Sequence, residues 1–205
     1  TSDGQIVVIH GETVNRTTNG RGNVGQLTLD GIRTLDAGLK FSTEYVGEKI
    51  PTLEEVFQHF SQNLFINVEL TNYASPGDEL PECVAELVNE YRCIDRVMFS
   101  SFHPRPLIKI HKLLPKASIG LLTLPGALGS LANFLIAPFV PHQSINPYYT
   151  AIHRDDIERK HHKNSSVYAW TVNDPDAIQR LFQWGVDGVI TDDPTMARKV
   201  LEEIR

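Results

Sequence analysis

Short apolar runs rich in β-branched residues alternate along this chain with longer stretches of helical periodicity, and that order restricts the fold more than any other feature. The runs are Ile6–Ile9, Phe65–Leu70, Val97–Ser101, Ser118–Leu122, Val167–Val172 and Gly188–Thr191. Between them lie helical patterns over Thr52–Phe60, Leu80–Tyr91, Pro104–Leu114, Arg154–His161, Pro175–Trp184 and Pro194–Glu203. Several helix starts are marked locally. Thr52 followed by Glu55 reads as a capping box, while Asp174-Pro175 and Asp193-Pro194 each pair an N-cap acceptor with a proline at the first helical position. Repetition of β then α predicts an α/β fold with a mainly parallel sheet and right-handed crossovers.

At 205 residues and 41% hydrophobic content the chain can bury one substantial core, so a single domain over residues 1–205 is predicted. A net charge of −6 argues against a nucleic-acid surface, which needs clustered positive charge. The longest apolar stretch, Ile119–Val140, is interrupted by Pro125, Gly126, Gly129, Asn133 and Pro138, a poor composition for a bilayer span. It reads as a buried helix or loop capping the fold, with peripheral contact to a lipid or an apolar alcohol as the alternative. No segment has the pattern of a signal peptide, and Thr1 is not a natural start, so a further N-terminal segment is expected. Cys83 and Cys93 lie within one predicted helix, where a mutual disulfide is geometrically disfavoured. Two free thiols fit a reducing compartment such as the cytoplasm.

Chemistry concentrates at two strand ends. The run Ile6–Ile9 ends on His10, followed by a loop containing Asn15-Arg16-Thr17-Thr18-Asn19-Gly20. A titratable group at the open end of a strand, with backbone N–H donors and a cation close behind, suits an anion such as a phosphate. Imidazole exchanges protons near neutral pH, as acid–base chemistry on a phosphodiester requires; the alternative is a half-buried strand-end histidine bonded to backbone. Arg16, Asn15 and Asn19 fit an anion-binding loop and a surface turn held by Asx hydrogen bonds equally well. In Asn67-Val68-Glu69-Leu70, alternation puts Asn67 and Glu69 on one face and Val68 and Leu70 on the other. A carboxylate facing inward is costly unless paired, either with a hard divalent ion such as Mg²⁺ or Ca²⁺ or with Arg or Lys. His142, His153, His161 and His162 fit no closed tetrahedral zinc spacing, and no Ser/His/Asp signature, P-loop or GxGxxG fingerprint is present.

Taken together, these segments resemble the glycerophosphodiester phosphodiesterase family. Its members carry an apolar strand, His-Asp, and an Asp-Arg-Thr-Thr-Asn-Gly loop. Ile50–Val56 resembles the family's IPTLEEV helix start, and Phe65–Leu70 its NIEIK strand. Ser100-Ser101-Phe102, Ala169–Asn173 and Gly185–Pro194 resemble its later strand-end motifs, and Asn146-Pro147 its sixth strand end. The likeness spans the chain from about Asp3 to the last helix. It implies a TIM (β/α)8-type barrel. This chain would supply six of the eight strands, from the third onward, with a small insertion over about residues 3–40. The family's His-Arg-Gly and Glu-x-Asp segments do not occur in the chain. A second catalytic histidine, a phosphate-binding arginine and two acidic metal ligands are therefore expected upstream.

The resemblance implies a metal-dependent hydrolase of lipid and glycerol metabolism, cleaving a glycerophosphodiester to glycerol 3-phosphate and an alcohol such as choline or ethanolamine. By it His10 is the catalytic acid or base and Glu69 a ligand to Mg²⁺ or Ca²⁺. Arg16 binds substrate, and Phe102 and Trp170 wall the alcohol, although core packing accounts for either aromatic as well. Two departures stand inside the matched region: Gly11 where an aspartate usually follows the histidine, and Thr71 where a lysine follows the strand. A hydroxyl in place of an ammonium offers a phosphate one hydrogen bond and no charge. Those departures leave two alternatives, a catalytically inactive relative that keeps the barrel for binding or assembly, and a phosphodiesterase directed at lysophospholipids.

Overall fold

The structure, a computed structural model, describes residues 1–126, 129 and 135–204. It divides into two compact units, Thr1–Val97 and Met98–Arg205. In the first, a loop-rich segment precedes α1 (Leu29–Arg33), α2 (Leu53–Phe60), β1 (Ile66–Glu69) and α3 (Leu80–Glu90). The capping box forms as predicted: the Thr52 hydroxyl accepts from the Glu55 N–H at 3.1 Å, and the Glu55 carboxylate accepts from the Thr52 N–H at 2.9 Å. Arg33 on α1 reaches the same carboxylate at 2.5 Å, so one side chain caps α2 and anchors α1. Val14, Ile32 and Ile50 are fully enclosed, with Val7, Ile9, Val24 and Leu35 packed around them.

Ile6–Ile9 departs from the expected strand. It makes one antiparallel bridge, Val7 to Thr52, with Val8 N–H donating to Pro51 O and Leu53 N–H donating to Ile6 O. The pairing stops there because its partner turns into α2 at Thr52.

The second unit carries a parallel ladder. It comprises β2 (Val97–Ser101, beginning at the boundary), β3 (Ser118–Thr123), β4 (Ser144–Pro147), β5 (Ser166–Ala169) and β6 (Gly188–Val189). Each strand pairs in parallel with the next in sequence. Between and after them run α4 (Pro104–Leu113), α5 (Arg154–His161), α6 (Pro175–Trp184) and α7 (Pro194–Ile204). The predicted caps are present: Asp174 accepts from Asp176 N–H and Asp193 from Met196 N–H. The architecture is α/β of the TIM-barrel type, as expected. Strand β4 is the one element the pattern did not reveal as a strand, since Ser-Ile-Asn-Pro offers a single β-branched residue.

Register sorts the two faces of this ladder. Phe99 pairs with Ile119, and Leu121 with Ile145, which pairs with Val167; all are buried and form the apolar face. Full burial of such a side chain is worth about 1.5–3 kcal/mol. The other face is small and polar, with Ser100, Gly120, Ser144 and Ser166 in one row and Asn146 beside Leu122 in the next. Of the apolar stretch Ile119–Val140, residues 127, 128 and 130–134 lie outside those described. On its flanks Leu124, Leu135 and Phe139 are exposed. No helix among the described residues is long and apolar enough to cross a membrane.

Candidate functional site

The loop that follows Ile9 is held by its own polar side chains. The Thr18 hydroxyl donates to Val14 O and accepts from Gly20 N–H. Asn15 accepts from Gly22 N–H, and Asn19 from Asp36 N–H. Both asparagines accept from backbone N–H groups of distant residues, seven and seventeen positions on, rather than closing Asx turns, which leaves Arg16 as the polar side chain that reaches the predicted catalytic group. Its Nη1 lies 3.0 Å from His10 Nδ1, and both residues are exposed. A guanidinium has no acceptor, so it donates, and Nδ1 must present its lone pair. That fixes the neutral tautomer of His10 with the proton on Nε2, directed away from Arg16. Gly11 beside it has φ of +95°, a region that side chains with a Cβ rarely occupy, and a Cβ there would meet no atom within 4 Å. Glycine at the first departure from the family pattern therefore suits the backbone at that position.

Beyond Gly11, the Glu12 carboxylate accepts from the N–H of Ala74 at 2.7 Å and so ties this loop to the one after β1. Between the loops is a cavity of about 430 Å³, whose walls include Ile6, Ile9, Glu12, Thr71, Asn72 and Asp78. His10 and Glu69 lie outside its lining. Cys83 also faces it. Burial first, then the carboxylates of Glu86, Glu79 and Glu82, push its thiol pKa up, which keeps it protonated and poorly nucleophilic. Both cysteines are free, as expected.

Glu69 is the last residue of β1 and accepts a hydrogen bond from the Tyr73 hydroxyl at 2.8 Å. Alternation holds, with Ile66 and Val68 half-buried and Asn67 and Glu69 exposed. The expected burial of that charge is not found: Glu69 is exposed. Among the described residues no three His, Cys, Asp or Glu side chains converge to hold a metal ion. A lone carboxylate falls short of the oxygen set that Mg²⁺ or Ca²⁺ takes. His161, from the histidines set aside as zinc candidates, instead bonds Asp187 through Nε2 at 2.9 Å.

In the second unit, Phe102 and Trp170 come together. Their rings meet edge to face with centroids 5.2 Å apart, and Tyr148 approaches Trp170 at the same distance. Period-two alternation puts these aromatics on the polar face of the ladder, just past the carboxyl ends of β2, β4 and β5, where parallel α/β sheets place their ligands. The Trp170 indole N–H donates to the Asn146 carbonyl at 2.7 Å, which fixes the ring plane. Tyr148 was missed at the sequence level; its place two residues after Asn146 was the available signal. Asn146 itself is fully buried beneath, accepting from the Ser144 hydroxyl at 3.0 Å.

Residues 1–196 match the glycerophosphoryl diester phosphodiesterase family. A glycerophosphodiester phosphodiesterase of Caldanaerobacter subterraneus is 37% identical over 195 residues, covering 95% of this chain and 79% of its own length. One from Bacillus altitudinis is 34% identical over 211 residues, covering 100% of this chain and 84% of its own. Among solved structures, an Oleispira antarctica phosphodiesterase in complex with the product sn-glycerol-3-phosphate superposes with a TM-score of 0.85 at 24% identity, over 98% of this chain and 81% of that one.

Proposed function

Because this chain belongs to the glycerophosphoryl diester phosphodiesterase family, we propose that it hydrolyses a glycerophosphodiester to glycerol 3-phosphate and a free alcohol, with Mg²⁺ or Ca²⁺ as cofactor and a role in lipid and glycerol metabolism. The observation that carries the reading within the chain is the His10–Arg16 pair. Water adds to phosphorus, the bond from phosphorus to the alcohol oxygen breaks, and that oxygen must gain a proton. His10 is assigned the proton transfer to that oxygen: Arg16 leaves Nδ1 for the phosphoryl group, Nδ1 takes up a proton, and the resulting imidazolium gives its Nε2 proton to the alcohol oxygen. The guanidinium N–H groups of Arg16 suit a phosphoryl oxygen. Phe102 and Trp170 are assigned to the wall against which the alcohol rests. Glu69 is assigned one carboxylate of a divalent-ion site, and such an ion, when bound, polarises a phosphoryl oxygen. The described residues alone do not complete that site.

Thr71 in place of a lysine favours the inactive relative as the second reading. Exposed Leu124, Leu135 and Phe139 favour an alkyl-bearing lysophospholipid over a short alcohol. One experiment separates all three: release of glycerol 3-phosphate or its acyl analogue from glycerophosphocholine and lysophosphatidylcholine, with chelator and with added Mg²⁺ or Ca²⁺. Metal-restored cleavage of glycerophosphocholine is expected. A preference for the acylated substrate moves the reading to lysophospholipids, and folded protein inert toward both overturns it. Cleavage unchanged by chelator removes the metal and the role given to Glu69.

A further inference from the structure

The Ala169–Asn173 motif and the Gly185–Pro194 motif are joined by one side chain to which the reaction gives no role. The Asn173 amide oxygen accepts from the Thr191 hydroxyl at 3.0 Å and from the Asp192 N–H at 2.9 Å, while its Nδ2 donates to the Asp192 carboxylate at 2.7 Å. Thr191 in turn accepts from the N–H of Asp193, the residue that caps α7. All three Asn173 bonds lie past the carboxyl ends of β5 and β6.

The ladder there is otherwise thin. β6 is two residues long and stands last in the strand order of the described residues, among which Ile190 N–H to Ala169 O and Val172 N–H to Ile190 O continue the pairing beyond it. Trp170 sits between those two rungs. Its own backbone bonds run to the β4 side, Trp170 N–H to Pro147 O and Tyr149 N–H to Trp170 O, so the β6 side of the segment depends on its neighbours.

We propose that Asn173 is a positioning residue: it clamps the loops after β5 and β6 and thereby holds Trp170 at the angle needed to contact the alcohol of the substrate. The inference rests on the reading of Trp170 as a substrate wall. The donor–acceptor pattern supplies its own test. Asn173→Asp keeps the acceptor for Thr191 and the Asp192 N–H but sets two carboxylates against each other where Nδ2 now meets Asp192. Adding Asp192→Asn exchanges donor and acceptor and restores the bond.

The measurements are steady-state kinetics on glycerophosphocholine and the emission of Trp170, read in a Trp184→Phe background so that it is the sole tryptophan. Asn173→Asp is expected to raise KM about five- to tenfold, the scale of one or two lost hydrogen bonds, with kcat within about twofold. Trp170 emission shifts to the red, and Asp192→Asn in the same protein returns both readouts. Wild-type KM and emission in Asn173→Asp would overturn the clamp, as would a loss that the reciprocal exchange fails to repair. If the wild-type protein cleaves no glycerophosphodiester, the functional reading falls separately, and emission with its rescue still decides whether Asn173 positions the ring.

Discussion

Trp170 offers a perturbation whose cost can be built from its contacts. Trp170→Ala removes one hydrogen bond at 2.7 Å and two edge-to-face aromatic pairs at 5.2 Å. The bond contributes about 1 kcal/mol net. Each aromatic pair adds about 0.5–1.5 kcal/mol beyond area burial. The ring is half-buried, so apolar transfer adds about half of its full value, about 1 kcal/mol, and the sum comes to about 3–5 kcal/mol, within the range for truncating a buried aromatic. Trp170→Phe keeps a ring between Phe102 and Tyr148 and forfeits the indole N–H, so it should cost about 1 kcal/mol. Equilibrium urea unfolding followed by far-UV circular dichroism, with m-values checked for constancy, reads both numbers. A phenylalanine variant as destabilised as the alanine variant, or an alanine variant costing under about 1 kcal/mol, would refute the assignment of these contacts.

His10→Ala is expected to lower turnover on glycerophosphocholine at least ~10²-fold, the lower end of acid–base contributions, and a near-wild-type rate would remove His10 from the mechanism. The Glu55 carboxyl is held below its ordinary value, chiefly by the Arg33 hydrogen bond and then by the Thr52 N–H. A depressed carboxylate pKa stabilises the fold fully above the unfolded-state value and loses that contribution as pH falls through the lower folded-state value. Thermal melts stepped downward through the acidic carboxylate range should therefore show wild type losing more stability than Glu55→Gln; parallel curves for the two proteins would contradict this. Gly38 approaches Tyr45 so closely that an added Cβ would lie 1.6 Å from the Tyr45 carbonyl oxygen. Gly38→Ala must then spread the loop that Asp36 closes through the N–H groups of Gly38, Leu39 and Gly47, at a cost of about 1–3 kcal/mol or more. An unchanged urea midpoint for that variant would show the loop to be looser than its packing indicates.

The parts of the fold legible in the sequence were those written by local rules. The box at Thr52–Glu55 and the prolines after Asp174 and Asp193 announced helix starts because capping is a contact between residues two or three apart. Pro175–Trp184 was read to the residue because amphipathic periodicity and core burial agree there, with Ala177, Ile178 and Leu181 buried. Ile6–Ile9 was read as a full strand because its composition carries no information about how briefly its partner stays extended. Glu69 was placed on the correct face, yet alternation states which side chains share a face and is silent on whether that face is open. The His10–Arg16 contact needs a loop to fold back over six residues, and the Phe102–Tyr148–Trp170 cluster joins three strand ends distant in sequence. Neither could be derived from spacing, although the residues themselves were visible.

The bond that fixes Trp170 ends on a main-chain oxygen of β4, and that choice of acceptor bears on how such a site can change over evolutionary time. Every residue type presents the same carbonyl, so substitution at position 146 leaves the lock on the indole available while altering the side chain beneath it. Gly120 sets the limit: an added Cβ there would fall 2.7 Å from the Ser144 hydroxyl and 2.9 Å from the Asn146 amide, so space under the aromatics is allotted by a neighbouring strand. Wall and floor thus answer to different mutations. If the aromatics are the alcohol wall proposed above, a scaffold partitioned in this way can drift toward a bulkier or more polar alcohol through positions 120, 144 and 146 without first surrendering that surface.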